Sequence, residues 1–120
     1  MHFTPSHEWI ICDKNIGTVG ITLFAQKELG EIVYVELPQV GAIVKKGEEL
    51  AVLESTKAAA DIYAPVSGKI IEVNNELIDH CGLINEFPET KGWICKIALE
   101  NLHELTTLLT EGDYSSYVGI

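Results

Sequence analysis

The residue whose type and setting most clearly suggest chemistry is Lys57, in the segment ESTKAAADIYAP (54–65). It lies between two segments of strand-like composition, EELAVLES and ADIYAPVSG, so the intervening TKAA predicts a hairpin tip. The turn lacks the Asn-Gly or Asp-Gly pair of a tight two-residue hairpin, which predicts a slightly wider turn. The alanines after Lys57 leave room for an enzyme to close over the amine. The alternative is a tip lysine that contacts only solvent.

The elements that hold this hairpin are predicted to be mostly β-strands. Short apolar segments recur between glycines, as in a small all-β sandwich or barrel: GTVGITL, EIVYVELPQVG, GEELAVLES, ADIYAPVSGKIIEVN and GWICKIAL. Pro65 is expected to end one strand, and Gly68 to supply a bend of positive φ before the next. Gly41 and Gly47 bound a short strand on the other side of the hairpin. This arrangement predicts a flattened barrel with one protruding hairpin.

A short helix followed by an amphipathic strand is predicted between residues 22 and 37. Thr22 can cap a helix that runs through Leu29 and ends at Gly30. The expected inward contacts of this helix are Phe24, Ala25 and Leu29. In the strand EIVYVEL, period-two alternation predicts that one set of side chains faces the core, namely Val33, Val35 and Leu37. Tyr34, on the opposite face, is expected at a sheet edge.

The C-terminal part predicts a second helix, because leucines recur at helical spacing at positions 102, 105 and 109. Asn101 and Glu104 resemble a capping box, and Gly112 is expected to stop the helix. The remaining DYSSYVGI adds a further turn or frays. No low-complexity linker or solenoid repeat divides the chain, so residues 1–120 are predicted to form one domain.

Composition limits the classes of partner. Eighteen acidic and eight basic residues give a formal charge of -10, which repels phosphate backbones and anionic membrane surfaces. Neither nucleic acid nor a membrane is therefore expected as a partner. The charge fits simple solubility, and it also fits a mobile component that is steered to basic docking faces. The opening MHFTPSHEW has no basic segment before an apolar core, and no apolar run approaches the roughly 20 residues of a membrane span.

The cysteines and histidines give weaker signals. Cys12, Cys81 and Cys95 are odd in number, far apart and without C-x-x-C spacing, which argues against a disulfide framework and a zinc ribbon and favours a reducing cytoplasm. His80 and Cys81 could bind a metal, but two neighbouring ligands without a second pair are a weak signal. His7 has no identified nucleophile nearby, so a packing or turn role is favoured over that of a catalytic base.

Taken together, the segments resemble the H proteins of the glycine cleavage system, among the biotinyl and lipoyl carrier domains. The resemblance extends in order over almost the whole chain: FTPSHEW, VGITLFAQKELGEIVYVELPQVG, ESTKAAADIYAPVSGKIIEVN, GLINEFPETKGW and LLTEGDYSSY. A biotin carrier is expected to have methionines beside the lysine, whereas Thr56 and Ala58 stand there. The resemblance implies a mainly β, flattened barrel-sandwich hybrid like that of lipoyl domains, with short flanking helices that include a C-terminal one.

The same resemblance implies that Lys57 carries lipoic acid in amide linkage and that the protein is a non-catalytic shuttle. In the family's cycle, glycine decarboxylase (the P protein) leaves an aminomethyl group on the lipoyl arm. The aminomethyltransferase (T protein) passes the carbon to tetrahydrofolate, and dihydrolipoyl dehydrogenase (L protein) reoxidises the dithiol. A lipoate ligase or a lipoyl/octanoyl transferase would attach the group. Such a mobile carrier is expected to be a monomer in the cytoplasm.

Five further residues match functional positions of the family. Glu54 and Gly68 stand where lipoylating enzymes read the chain. Ser6, Glu8 and Asp61 match residues of the cleft that shelters the loaded arm, and acidic and hydroxyl acceptors suit a protonated amine. Ordinary interpretations stay open, because Glu54 could be a strand-exposed acid, Gly68 a turn glycine, and Ser6 with Glu8 part of an N-terminal turn.

Departures from the family pattern bear on the choice of partner. Leu23 stands where a polar acid is usual, Thr56 replaces a valine, and Cys81 with Gly82 stand in place of the usual proline before LIN. Leu23 could alter a docking face. Two alternatives therefore stay open: an H-like carrier that relays lipoate to 2-oxoacid dehydrogenase subunits or serves another lipoyl-dependent redox system, and a small enzyme or metal-binding protein that uses His80 and Cys81.

Overall fold

In the computed structural model, which describes residues 1–119, the chain folds into two antiparallel sheets. The strands are β1 (His2–Phe3), β2 (Glu8–Asp13), β3 (Ile16–Ile21), β4 (Ile32–Glu36), β5 (Ile43–Val44), β6 (Glu49–Ser55), β7 (Ala59–Tyr63), β8 (Gly68–Val73) and β9 (Cys95–Leu99). The first sheet has the order β1-β2-β3-β9-β8-β5, and the second has the order β4-β6-β7. The sheets make an unclosed sandwich, which confirms the predicted mainly β, lipoyl-domain-like fold.

Short helices flank the sandwich. They are α1 (Leu23–Leu29), α2 (Glu76–Asp79), α3 (Gly82–Glu86), a 3-10 helix (Leu102–Thr107) and α4 (Glu111–Val118). The prediction for α1 is confirmed, because Thr22 Oγ1 accepts a hydrogen bond from the amide of Ala25 at 3.1 Å and the helix ends at Gly30, where φ is 84°. Ala25 is buried as expected.

The single helix predicted from Asn101 to Gly112 is wrong. Asn101 does cap a turn, since its side chain accepts from the amide of His103 at 3.0 Å, but that turn is the 3-10 helix and ends at Thr107. The carboxylate of Glu104 does not close a capping box. It accepts instead from the amide and the hydroxyl of Ser67, at 2.8 and 3.0 Å.

The tail that was expected to add a turn or fray forms α4. Thr110 caps it through a hydrogen bond from the amide of Asp113 at 3.2 Å, which places Gly112 inside the first turn. The helix ends at Gly119, whose φ of 81° is left-handed. The last residue of the tail, Ile120, lies outside the described residues.

The alternation predicted for β4 is wrong at Val33. This residue is 51% exposed, whereas Ile32 and Val35 are buried. The reason is an irregularity in the pairing of β4 with β6 between Ile32 and Tyr34, which reverses the direction of the side chains before the bulge. Tyr34 is exposed on an outer strand of its sheet, as predicted.

Gly68 is needed for a different reason from the one predicted. It is not at a bend of positive φ but begins β8, where it pairs with Val44 and Leu99. A Cβ at this position would lie 2.1 Å from the carbonyl oxygen of Ala98. The close approach of two backbones therefore requires glycine here.

The main core lies between the two sheets, and a second cluster lies at the chain ends. Residues below 1% exposure in the main core include Ile10, Ile21, Leu53, Ile70 and Ile97. The second cluster is built on Phe3, Trp9 and Tyr114 and joins β1 and β2 to α4. Within residues 1–119, no helix is both long enough and apolar enough to cross a bilayer.

Candidate functional site

The lysine hairpin is formed by β6 and β7, and its tip is held by Ser55. The Ser55 hydroxyl oxygen accepts hydrogen bonds from the amides of Lys57 and Ala58, both at 3.1 Å. The Ser55 amide donates to the carbonyl oxygen of Ala58 at 2.8 Å. Three residues connect the strands, so the prediction of a turn wider than two residues is confirmed. Ser55 was missed in the sequence, although a serine two residues before a tip is the signal of such a turn.

Lys57 is exposed, as expected, and its stem lies against the end of α1. A Cβ at Gly30 would be 3.2 Å from Cε of Lys57. The amide of Thr56 donates to the carbonyl oxygen of Glu31 at 3.0 Å, which fastens the tip to the same place. Among residues 1–119 the Lys57 ammonium forms no ion pair. The backbone of the tip is thus fixed while the amine stays accessible.

The second part of the site is the segment that we call the Glu8 turn, residues 4–8. Glu8 is only 1% exposed. Its Oε1 accepts hydrogen bonds from the hydroxyls of Thr4 and Ser6 at 2.5 and 2.6 Å. The Thr4 hydroxyl oxygen accepts in return from the amide of Glu8 at 3.0 Å. The turn therefore holds a buried carboxylate in one orientation, and it gives Ser6 and Glu8 a shared structural role as well.

Glu8 also connects this turn to the lysine hairpin. Its Oε2 accepts from the amide of Tyr63, the last residue of β7, at 3.3 Å. Asp61 is two residues earlier on the same strand, about 7 Å along it, with its exposed side chain on the face of Ala59 and Tyr63. The structure thus brings Ser6 and Glu8 together and ties them to the strand that carries Asp61. No cation pairs with Glu8 in the part of the chain that is described.

Glu54 and Gly68 lie in different sheets. Glu54 is exposed on β6, opposite Tyr34 on one side and Ala59 on the other, and shares the hairpin with Lys57. Gly68 is buried in the six-stranded sheet. Glu54 is therefore accessible at the surface, whereas Gly68 lies inside the sandwich.

His7 lies within the Glu8 turn, in agreement with its predicted turn role. Its φ is 75°, and its Nδ1 is 2.8 Å from the hydroxyl of Tyr114. That hydroxyl is also 2.8 Å from Oγ1 of Thr22, the cap of α1. Burial raises the pKa of Tyr114, while its hydrogen bond with Thr22 acts in the opposite direction. Neither Tyr114 nor Thr4 was marked by the sequence as part of a site.

The residues of the metal-binding alternative and of the possible docking face lie at or near the surface. His80 is exposed and Cys81 is half-buried. Residues 1–119 contain no group of three or more His, Cys, Asp or Glu side chains placed to hold a metal ion. Leu23 is 45% exposed at the start of α1, and its amide donates to Oε2 of Glu89 at 2.8 Å.

Comparison with known proteins extends these observations. The family model described as "Glycine cleavage H-protein" matches residues 1–119. A glycine cleavage system H protein of Caulobacter vibrioides is 49% identical, with 99% of this chain and 98% of the relative covered. One of Carboxydothermus hydrogenoformans is 52% identical, with 95% and 88% covered.

A solved structure gives the same result. The crystal structure of a glycine cleavage system H protein from Mycobacterium marinum superposes with a TM-score of 0.89 at 36% identity, over 98% of this chain and 95% of that one. Both the family model and the relatives span nearly the full chain. The chain therefore belongs to the glycine cleavage H-protein family.

Proposed function

We propose that Lys57 is the residue of this chain that carries the lipoyl group, in amide linkage to its side-chain nitrogen. As a member of its family, the chain is a non-catalytic lipoyl carrier of the glycine cleavage system, and the family holds lipoic acid on a lysine. The observation that carries the assignment to Lys57 is its exposed amine at a hairpin tip of fixed backbone, with small alanines beyond it.

The arrangement of residues around Lys57 fits a lipoyl group. The amine forms no ion pair within the described residues, and acylation would remove its charge without leaving a partner unpaired. When bound, the lipoyl group supplies a dithiolane that opens to two thiols. The chain supplies presentation, through Ser55 at the tip and through Gly30, where the bare backbone leaves space for the lysine stem.

We further propose that Ser6, Glu8 and Asp61 shelter the aminomethyl cargo. Its protonated amine needs acceptors, and the buried Glu8 carboxylate is an acceptor already fixed in orientation by two hydroxyls. The hydrogen bond between Glu8 and the Tyr63 amide supports this role, since it holds the carboxylate at the strand that leads away from the lysine tip. Asp61 adds a second negative charge on that strand.

For lipoylation, we propose that Glu54 is read directly and Gly68 acts through the fold. Glu54 is exposed three residues before Lys57 on the same hairpin. Gly68 is buried, and its missing side chain allows β8 to approach Ala98. A lipoate ligase or a lipoyl/octanoyl transferase is the proposed modifying enzyme.

As a glycine cleavage carrier, the chain interacts with the P, T and L proteins. We propose that it does so as a monomer, since one arm must be presented to three enzymes in turn. A single domain over residues 1–120 is supported by the radius of gyration of 13.2 Å, against about 14 Å expected for a compact domain of this length. A cytoplasmic location is supported by Cys12, Cys81 and Cys95, which are all free thiols.

The test is glycine-dependent activity reconstituted with the P, T and L proteins after treatment with a lipoate ligase, lipoic acid and ATP. Lys57→Arg should keep the fold and abolish the activity, because a guanidinium cannot form the lipoyl amide. Lys69→Arg, at an exposed position on β8, is the matched control and should retain it. Activity of the Lys57→Arg protein equal to that of the control would refute the assignment.

A further inference from the structure

One hydroxyl group joins three elements around the Glu8 turn, and the carrier role proposed above makes no use of it. Tyr114, on α4, is 6% exposed. Its hydroxyl is 2.8 Å from Nδ1 of His7 and 2.8 Å from Oγ1 of Thr22. The C-terminal helix thus has a polar contact with the turn that carries Ser6 and Glu8, and with the cap of α1.

The contact holds a residue whose backbone has an uncommon conformation. His7 has a φ of 75°, a left-handed conformation that few residues other than glycine adopt, although asparagine, aspartate and histidine adopt it more often than the rest. Such a conformation is kept where the surrounding contacts hold it. The His7 amide donates to the carbonyl oxygen of Thr4 at 3.1 Å, and its carbonyl oxygen accepts from the amide of Thr22 at 3.0 Å. Its ring lies 4.7 Å from that of Phe24. The ring nitrogen's bond to Tyr114 completes this set of restraints.

The backbone conformation of His7 matters because this residue separates the two residues of the proposed shelter. Ser6 and Glu8 flank it, and the hydroxyl of Ser6 donates to Oε1 of Glu8 at 2.6 Å. A turn that relaxed at His7 would rotate one flank relative to the other. The hydroxyl of Ser6 and the carboxylate of Glu8 would then no longer be presented together.

Tyr114 is well placed to impose this geometry, since its ring is anchored independently of its hydroxyl. The ring stacks on Phe3 with centroids 4.6 Å apart and an interplanar angle of 10°. Phe3 is in turn tied to Leu109 by two backbone hydrogen bonds, at 2.9 and 2.8 Å. Removing the hydroxyl therefore leaves the helix packed and takes away only the two polar contacts.

From these contacts we infer that Tyr114 is a positioning residue for cargo retention. Its hydroxyl holds His7 and Thr22, fixes the Glu8 turn, and so keeps the oxygens of Ser6 and Glu8 directed at a protonated amine. This inference rests on the proposed function, because the shelter is part of that proposal. It extends the site to the C-terminal helix, which has no other role in it.

The first experiment uses the unmodified chain and measures backbone amide hydrogen exchange. Tyr114→Phe should accelerate exchange at the amides of Glu8 and Thr22 by roughly fivefold, the effect of losing about one net hydrogen bond. Tyr117→Phe removes the same atom from an exposed tyrosine on the same helix and should leave both amides unchanged. Equal exchange in Tyr114→Phe and the native chain would overturn the inference without reference to lipoate.

The second experiment uses the lipoylated chain, loaded with glycine and the P protein and then separated from it. Loss of the aminomethyl group is followed by intact mass in the absence of the T protein. Tyr114→Phe should lose the group several times faster than the native chain. His7→Asn tests the same contact from the other side, because asparagine tolerates a positive φ but cannot reach Tyr114, and it should show the same acceleration.

Val118→Ala serves as the control for general loosening of α4. It trims a half-buried side chain that packs against the cluster of Phe3, Trp9 and Tyr114 and leaves the hydroxyl in place. Its rate of cargo loss should match the native rate at a comparable melting temperature. An equal acceleration in Val118→Ala would overturn the inference. A native chain that takes no lipoyl group at Lys57 would instead refute the proposed function itself.

Discussion

Oε2 of Glu8 and the backbone amide of Tyr63 are joined by a 3.3 Å hydrogen bond that ties the N-terminal turn to the strand leading away from Lys57. The other oxygen of the same carboxylate accepts from Thr4 and Ser6. The hydroxyls of Thr4 and Ser6 and the amide of Tyr63 thus all donate to this carboxylate and fix its orientation. Because Glu8 is buried, water is largely excluded from it. A cationic group that reaches it would meet a charge that is already oriented.

Replacing Glu8 by glutamine should leave a folded, lipoylated chain that releases its aminomethyl group faster. A hydrogen bond to a charged group contributes about 1.5–3 kcal/mol, which corresponds to a roughly ten- to hundredfold faster loss. Intact mass of the loaded chain over time measures it. Asp61→Asn, at an exposed position, should have a smaller effect, and Glu36→Gln should have none. A Glu8→Gln chain that retained its cargo as well as the native one would exclude Glu8 from the shelter.

Gly68→Ala should destabilise the fold by about 3 kcal/mol, at the upper end of the usual cost of overpacking. The added Cβ would lie 2.1 Å from the Ala98 carbonyl oxygen and 2.7 Å from Cγ2 of Ile97, and the backbone cannot yield as a side chain can. Urea denaturation gives the free energy of unfolding. Gly82→Ala is the control, since no atom lies within 4 Å of its Cβ, and it should be neutral or stabilising by up to about 1 kcal/mol. Equal midpoints for the two variants would show that β8 does not need a bare backbone.

Ser55→Ala should loosen the lysine tip without unfolding the protein. The amides of Lys57 and Ala58 both lose their acceptor, so their hydrogen exchange should rise by roughly fivefold or more. The rate at which a lipoate ligase modifies Lys57 should fall, because the tip would no longer be presented in one conformation. Thr56→Ala, at the exposed neighbouring position, is the control. An unchanged rate of modification would mean that the ligase itself orders the tip.

Cys95 should resist alkylation and lower the stability of the fold at high pH. Burial raises the pKa of its thiol from 9.0 to about 12. Between these values the unfolded chain releases the proton and the folded chain keeps it, so the unfolding free energy should fall as pH rises from 9 towards 12. Iodoacetamide at pH 8.5 should label the half-buried Cys12 and Cys81 but reach Cys95 only in denaturant. A Cys95→Ala chain should show a flatter dependence, and the same slope as the native chain would contradict this attribution.

The sequence predicts the parts of this structure that depend on local chemistry. The hairpin around Lys57, the capped helix α1 and the strand-rich architecture follow from turn residues, a threonine cap and apolar periodicity. The family resemblance adds the proposed site residues, because no local rule marks Glu8 or Asp61 as part of a site.

The predictions from sequence fail where a residue distant in the chain determines the local structure. Val33 turns outward because the pairing of β4 with β6 shifts at a bulge, which the alternation alone does not reveal. The carboxylate of Glu104 accepts from Ser67 instead of closing the expected capping box, and the C-terminal helix begins only at Glu111. The contact of Tyr114 with His7 spans 107 positions, so no local pattern of residues indicates it. The sequence pattern thus does not predict which distant residue a polar group will bind.

The measurement that tests the central claim most directly is the intact mass of the protein isolated from its native cell, with peptide mapping across residues 54–65. An added mass of one lipoyl group, confined to Lys57, is the result that we predict. An unmodified Lys57 in cells that lipoylate other proteins would contradict the claim, and would indicate a chain that has kept the fold of a carrier without its cargo arm.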